Sequence, residues 1–328
     1  MKHPLFSLLA GLALAAPAAA QQGVPTGSLI ERNRGAPGSS ETIGYAADAW
    51  ERMTVAVNVA GRGPYRFIVD TGAERTVISS EVARSLGLGS AGDVTLASVS
   101  EVSRVPSVII PELEVGRRTI SDIQAPALAE HNIGAQGMLG VDSLRSQRVT
   151  FDFTRRELTL SSSHIDDDRF APGEIVVRGR TRLGRLLLTN AYLDGQRITV
   201  IVDTGSQITI GNAALRRRLE RARRLSDVRT LALTGVTGDL VMAEYAVAQR
   251  LQVGGVHIND FPIAFSDVRL FELLDLENRP AILLGMDALR LFNRVSIDFA
   301  NRRVRLAPPT SQNAPQTRMA ALAPLRAR

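Results

Sequence analysis

Apolar and polar residues alternate with a period of two along much of the chain, the mark of half-buried strands. Val55, Val57 and Val59 alternate with Thr54, Ala56 and Asn58. Gly61-Arg62-Gly63-Pro64 then reads as a turn, with residues 65–69 as the returning strand. The pattern returns at Leu193, where Asp194-Gly195 is a hairpin signal before a strand over 198–202. Two short helices are predicted, over 80–86 and 213–223, and strand pairs close each half over 149–160 and 295–306.

These elements belong to an internal repeat. Arg66-Phe67-Ile68-Val69-Asp70-Thr71-Gly72-Ala73 matches Thr199-Val200-Ile201-Val202-Asp203-Thr204-Gly205-Ser206. Met138-Leu139-Gly140-Val141-Asp142 matches Leu283-Leu284-Gly285-Met286-Asp287, and Val149-Thr150-Phe151-Asp152-Phe153 matches Val295-Ser296-Ile297-Asp298-Phe299. Three blocks recurring in one order predict two like lobes rather than a solenoid of short units.

The ends do not share this texture. Lys2 and His3 precede an apolar run and Ala18-Ala19-Ala20, the order of a Sec-type signal peptide cleaved near Ala20/Gln21. The run is too short to span a bilayer, so the expectation is a periplasmic or secreted protein with no integral membrane segment after cleavage. The expected division is a signal peptide at 1–20, an N-terminal arm at 21–43, lobes at 44–161 and 174–307, a linker at 162–173 and a disordered tail at 308–328.

Composition narrows the chemistry. The 328 residues include no cysteine, which excludes disulfides, thiol nucleophiles and cysteine metal sites. Aromatic residues make up 5%, so the core must be mostly aliphatic. The net charge of +6 rests almost entirely on arginine. Its densest run, Arg216, Arg217, Arg218, Arg221, Arg223 and Arg224, reads as a solvated helix face with Leu215 and Leu219 turned inward. No nucleic-acid partner is expected. His131, His164 and His257 are isolated, and neither a nucleophile elbow nor a phosphate loop occurs. No metal and no cofactor are implied.

One Asp-Thr-Gly is a weak signal, because Asp and Gly are common turn formers. Two copies, each after an apolar strand and each before a later apolar-apolar-Gly, carry more. With these features the chain resembles the aspartic proteases, in particular the retropepsin-like branch found in bacteria. The resemblance covers residues 50–160 and 180–306. It implies an all-β fold of two acid-protease β-barrel lobes related by pseudo-twofold symmetry, with short helices, in one monomeric chain.

The resemblance also implies roles. Asp70 and Asp203 would form a catalytic pair, one carboxylate activating water and the other serving as acid, with one proton between them. Thr71 and Thr204 would lock the two loops together. Gly72 and Gly205 would let backbone amides face the carboxylates. Ala73 and Ser206 complete the supporting set, Ser206 as a possible hydroxyl donor to a carboxylate. Leu139-Gly140 and Leu284-Gly285 would run behind the loops, and Asp142, Asp287, Asp152 and Asp298 read as caps or turn residues.

Flaps over the site are expected at 96–105, around Ser98-Val99-Ser100, and at 233–240, around Thr234-Gly235-Val236-Thr237-Gly238. Val99, Val236, Thr237 and Gly238 are therefore candidate substrate contacts, together with Glu74 and Gln207. The retroviral arginine after the later glycine is replaced by Val141 and Met286, so the clamp between lobes must differ. The function expected is an aspartic-type endopeptidase acting on a peptide or protein. The alternative is a non-catalytic peptide-binding or scaffold protein of the cell envelope with the same fold.

Overall fold

The computed structural model describes residues 5–7, 13–14, 41–44, 46–47, 53–99, 102–163, 173–225 and 228–309. Most of the expected signal peptide, arm and tail, and linker residues 164–172, lie outside the described residues.

The first lobe contains β1 (Met53–Val59), β2 (Arg62–Val69), β3 (Val77–Ser79), α1 (Ser80–Ser85), β4 (Ser90–Ala97), β5 (Val102–Val115), β6 (Arg118–Leu128), α2 (Glu130–Ile133), β7 (Gly137–Leu139) and α3 (Val141–Leu144). The strands run β5-β6-β3-β7-β2-β1, and β1 pairs back onto β5 through Val57 and Val115. A sheet closed in this way leaves no free edge within the barrel.

The second lobe repeats the plan. It contains β10 (Ile175–Arg182), β11 (Arg185–Leu193), β12 (Gln196–Val202), β13 (Ile210–Gly211), α4 (Ala213–Arg221), β14 (Arg229–Thr234), β15 (Leu240–Val253), β16 (Val256–Phe265), α5 (Arg269–Leu273), β17 (Ala281–Leu284) and α6 (Met286–Leu289). Its order is β15-β16-β13-β17-β12-β11, closed by β11 against β15. The expected all-β, two-lobe fold is the one observed.

A third layer joins the lobes. β8 (Gln147–Asp152) and β9 (Glu157–Ser162) follow the first barrel, and β18 (Arg294–Asp298) and β19 (Arg303–Ala307) follow the second. β8 pairs antiparallel with β18, which places Val149 opposite Ile297 and Phe151 opposite Val295. β10 adds to β19, and the segment Glu41–Gly44 adds to β9. The third repeat block is thus the seam of the molecule. One continuous apolar core runs from both barrels into this seam. Across it Arg148 Nε meets Asp298 Oδ2 at 3.3 Å, with both side chains buried.

Near the N-terminus, Leu5–Ser7 lies parallel to Thr95–Ala97, and Ala13–Leu14 lies antiparallel to Leu233–Thr234.

One turn differs from its expected position. The first hairpin turns at Ala60-Gly61, with φ of 50° and 71°, and Arg62 to Pro64 already belong to β2. Two consecutive positive φ values match the right-handed twist of the flanking strands, and that requirement outweighed the Gly-Pro signal. The second hairpin turns at Asp194-Gly195 as expected, with φ of 47° and 79°.

Candidate active site

Each Asp-Thr-Gly loop leaves the end of a barrel strand flanked on both sides, β2 between β7 and β1 and β12 between β17 and β11. β2 delivers Asp70 and β12 delivers Asp203. β7 runs parallel to β2 and β17 parallel to β12, so the Leu-Gly segments lie directly behind the loops. Asp70 N–H donates to Leu139 O and Asp203 N–H to Leu284 O, both at 3.0 Å. A side chain at Gly140 would strike the Arg75 backbone, and one at Gly285 the Ile208 backbone. Glycine is needed there because two main chains pass in contact.

One threonine tightens each loop, Thr76 in the first and Thr209 in the second, each six residues after its aspartate. Thr76 donates its N–H and hydroxyl to Asp142 Oδ1 at 2.9 and 2.8 Å. Thr209 does the same with the Asp287 carboxylate, at 2.9 and 2.8 Å. Their hydroxyls accept from Gly140 N–H and Gly285 N–H. Asp142 and Asp287 therefore bind the loop to the Leu-Gly segment, which is more than capping. Asp152 and Asp298 accept turn amides, from Thr154 and Arg155 in one copy and Asn301 in the other.

The two loops meet across the pseudo-twofold axis. A Cβ placed on Gly72 would fall on the Asp203 carboxylate, and one on Gly205 would fall on the Asp70 carboxylate. Each aspartate thus lies against the glycine of the other lobe. Asp70 Oδ1 accepts from Gly72 N–H at 2.7 Å and Ala73 N–H at 2.9 Å. Asp203 Oδ1 accepts from Gly205 N–H at 2.9 Å and Ser206 N–H at 3.2 Å. Ser206 supports the carboxylate through its backbone alone. Its hydroxyl donates to Ile208 O at 2.8 Å, a carbonyl of the same loop.

Both aspartates have no exposed surface. Burial pushes the Asp203 carboxyl well above its ordinary range, and the neighbouring charge of Asp70 adds to this. The amides of Gly205 and Ser206 and the Arg185 guanidinium pull the other way and do not prevail. A pair of this kind retains a proton at a pH where lone carboxylates are ionised. Asp287 is also raised, to about 6, chiefly by burial.

Arg185 is the residue that the repeat comparison missed. It opens β11 in the second lobe and is the largest fully buried side chain among the described residues. Its Nε donates to Gly72 O at 2.7 Å, and Nη1 lies 4.0 Å from Glu74 Oε2, both in the first lobe. The altered clamp between lobes passes through this guanidinium. Burial lowers its pKa, and the charges of Glu74, Asp203 and Asp70 oppose that. A signal did exist: Arg52 precedes Asp70 by the same 18 residues that separate Arg185 from Asp203. Arg52 lies outside the described residues.

Of the candidate substrate contacts, Glu74 is engaged by Arg185 and Gln207 is partly exposed at the matching place. Val99 and Val236 are both fully buried, while Thr237 and Gly238 lie at the tip between β14 and β15. Ser100 lies outside the described residues. Among the described residues, no group of His, Cys, Asp and Glu is placed to hold a metal ion, and no helix is long and apolar enough to cross a membrane.

Comparison with curated proteins gives no match. A family model described as aspartyl protease matches residues 55–143 and 189–288. The two matched stretches take in both Asp-Thr-Gly loops and both Leu-Gly segments, and together they make up more than half of the chain. The chain belongs to the aspartyl protease family.

Proposed function

We propose that the chain is an exported aspartic-type endopeptidase that hydrolyses peptide bonds with one water activated between Asp70 and Asp203. The observation that carries this reading is the contact of each carboxylate with the other lobe's Asp-Thr-Gly glycine, both groups fully buried. Two carboxylates this close cannot both ionise easily, so the pair holds one proton. The ionised member takes a proton from water as the water oxygen attacks the peptide carbonyl carbon. The protonated member gives its proton to the carbonyl oxygen. The resulting diol returns a hydroxyl proton to the pair while the pair protonates the leaving nitrogen, and the C–N bond breaks. The pair ends with one proton, as it began.

The backbone amides of Gly72, Ala73, Gly205 and Ser206 hold Oδ1 of each aspartate and fix the direction of Oδ2. Such preorganised donors add no reorganisation cost during the reaction. Export rests on the charge, apolar run and small-residue pattern of residues 1–20. The mature chain would begin at Gln21.

Incubation with a mixed peptide pool at several pH values tests the reading. Internal cleavage, blocked by a statine-type transition-state mimic and unaffected by chelators or serine reagents, is expected. Binding of peptides without cleavage at any pH would leave the scaffold function instead.

A further inference from the structure

The two lobes carry a helix at the same place in the repeat and charge it differently. α1 and α4 each follow a short strand paired to the Leu-Gly segment. Residues 80–88 hold one arginine and one glutamate, whereas residues 216–224 hold six arginines and one glutamate. Asn212 caps α4 by accepting from Leu215 N–H, and Ala214, Leu215 and Leu219 form its buried face. The outer face carries Arg217, Arg218 and Arg221, all exposed. Arg217 and Arg221 stand one turn apart, a pair of like charges that weakens a helix rather than supporting it. Glu220 and Glu244 are both taken by Arg216, at 3.0 and 2.6 Å, and among the described residues no carboxylate pairs with the other three.

A strip of exposed apolar surface runs beside that helix. Leu240 and Met242 are each 65% exposed and Val228 51%, the three most exposed large apolar side chains among the described residues. Leu240, Met242 and Glu244 alternate along β15 and so share one face of the β14–β15 hairpin. Thr230, Ala232 and Thr234 stand opposite them on β14 and belong to the same face. Because Glu244 takes Arg216, α4 lies alongside the strip. The first lobe differs at the matching rung, where Thr95 faces Arg104 and the Arg104 guanidinium lies 3.9 Å from Asp93. Where the first lobe has a paired cation, the second has the bare side chain of Met242.

We propose that Arg217, Arg218 and Arg221 of α4, with Leu240 and Met242 of the hairpin, form a docking surface for an anionic lipid bilayer. Guanidinium groups take phosphate oxygens two at a time. The apolar pair enters the boundary between headgroups and acyl chains, which removes its surface from water. A phosphate polymer such as a nucleic acid would engage the arginines and leave Leu240 and Met242 wet, so the apolar strip favours the bilayer. The surface lies on the second lobe alone and needs neither the carboxylate pair nor a peptide.

Co-sedimentation of the full chain with vesicles tests the surface. Every variant keeps the same N-terminus, so the apolar run there contributes equally to all. Vesicles of phosphatidylcholine with phosphatidylglycerol should carry down far more protein than vesicles of phosphatidylcholine alone, and added salt should weaken the binding. Arg217→Gln with Arg221→Gln should lower the partition into anionic vesicles about 25-fold, about fivefold for each charge. Leu240→Ser with Met242→Ser should lower it about tenfold or more. Arg84→Gln, exposed on α1 of the first lobe, should change it less than about twofold. All the altered side chains are exposed, so thermal unfolding of each variant should match that of the unaltered protein.

Equal binding to both kinds of vesicle, or a loss no greater for the α4 changes than for Arg84→Gln, would overturn the proposal. Vesicle binding untouched by Leu240→Ser with Met242→Ser would overturn it too. A duplex oligonucleotide captured with the same arginine dependence would then assign the arginines to a phosphate polymer. None of these outcomes depends on whether peptides are cleaved.

Discussion

Thr71 and Thr204 each donate a backbone N–H to the other's hydroxyl at 3.1 Å. Each hydroxyl then donates to the carbonyl just before the opposite aspartate, Thr71 to Val202 O at 2.9 Å and Thr204 to Val69 O at 2.6 Å. The strands that carry Asp70 and Asp203 are thereby tied to each other from beneath.

Loss of either hydroxyl should act on both stability and rate. Thr71→Ala or Thr204→Ala leaves a buried carbonyl and a buried amide without their partners, a cost of about 2–4 kcal/mol. Displacing a reacting carboxylate by a fraction of an ångström should lower kcat by roughly 10- to 100-fold. Thr→Ser at either site should recover most of both. Urea unfolding and peptide hydrolysis on the same preparations check this.

Close approach at the loop glycines gives a second test. Gly72→Ala or Gly205→Ala drives a methyl group into the opposite carboxylate and should cost on the order of 100-fold or more in kcat. Gly89→Ala meets nothing within 4 Å and should change stability by less than about 0.5 kcal/mol. Equal effects at Gly72 and Gly89 would mean that the contact between loops is absent in solution.

Arg185 should be sensitive to both size and charge. Arg185→Met leaves Gly72 O without the Nε donor and deprives Glu74 of its cation, a loss of about 3–5 kcal/mol. Arg185→Lys should rescue little, because an ammonium cannot reproduce the guanidinium's spread of donors. Without this cation the carboxyl pair should titrate higher, moving the acid limb of the pH–rate profile upward. Chemical denaturation and the pH profile separate the two effects.

The fold was more legible than the clamp. Val55-Val57-Val59 and the matched Asp-Thr-Gly and Leu-Gly blocks announce two barrels, because strand period and loop chemistry are local properties of sequence. The seam announced itself only as a third repeat block. That β8 would pair with β18 is a long-range choice between equivalent edges. Arg185 was hidden because an arginine before three leucines looks like any strand end, and only its partners in the other lobe give it meaning. The first turn was misplaced for the opposite reason. Gly63-Pro64 is a strong local signal, overruled by the twist that Ala60-Gly61 satisfies.

Stability should depend on pH through the site. The folded protein raises the Asp203 pKa above its unfolded value of about 3.9. Its contribution is therefore fully present below the unfolded pKa and lost as pH rises through the folded pKa. Asp287, raised to about 6, adds a loss in the same direction between about pH 4 and 6. Asp203→Asn should raise Tm at neutral pH, where the carboxyl is ionised in the unfolded chain and burying it is disfavoured, and change it little near pH 3. Calorimetry across that range checks the sign, and a neutral-pH Tm lowered by the change would contradict it.

The most direct measurement is peptide hydrolysis by Asp70→Asn and Asp203→Asn proteins, singly and mixed, with their solution masses. Each change keeps the size of the side chain and removes its titratable proton. If Asp70 and Asp203 form one pair within one chain, either protein loses nearly all activity and mixing restores none. If Asp70 instead pairs with Asp70 of a second chain, each variant keeps one intact type of site. Substantial activity in either single variant would contradict the shared pair.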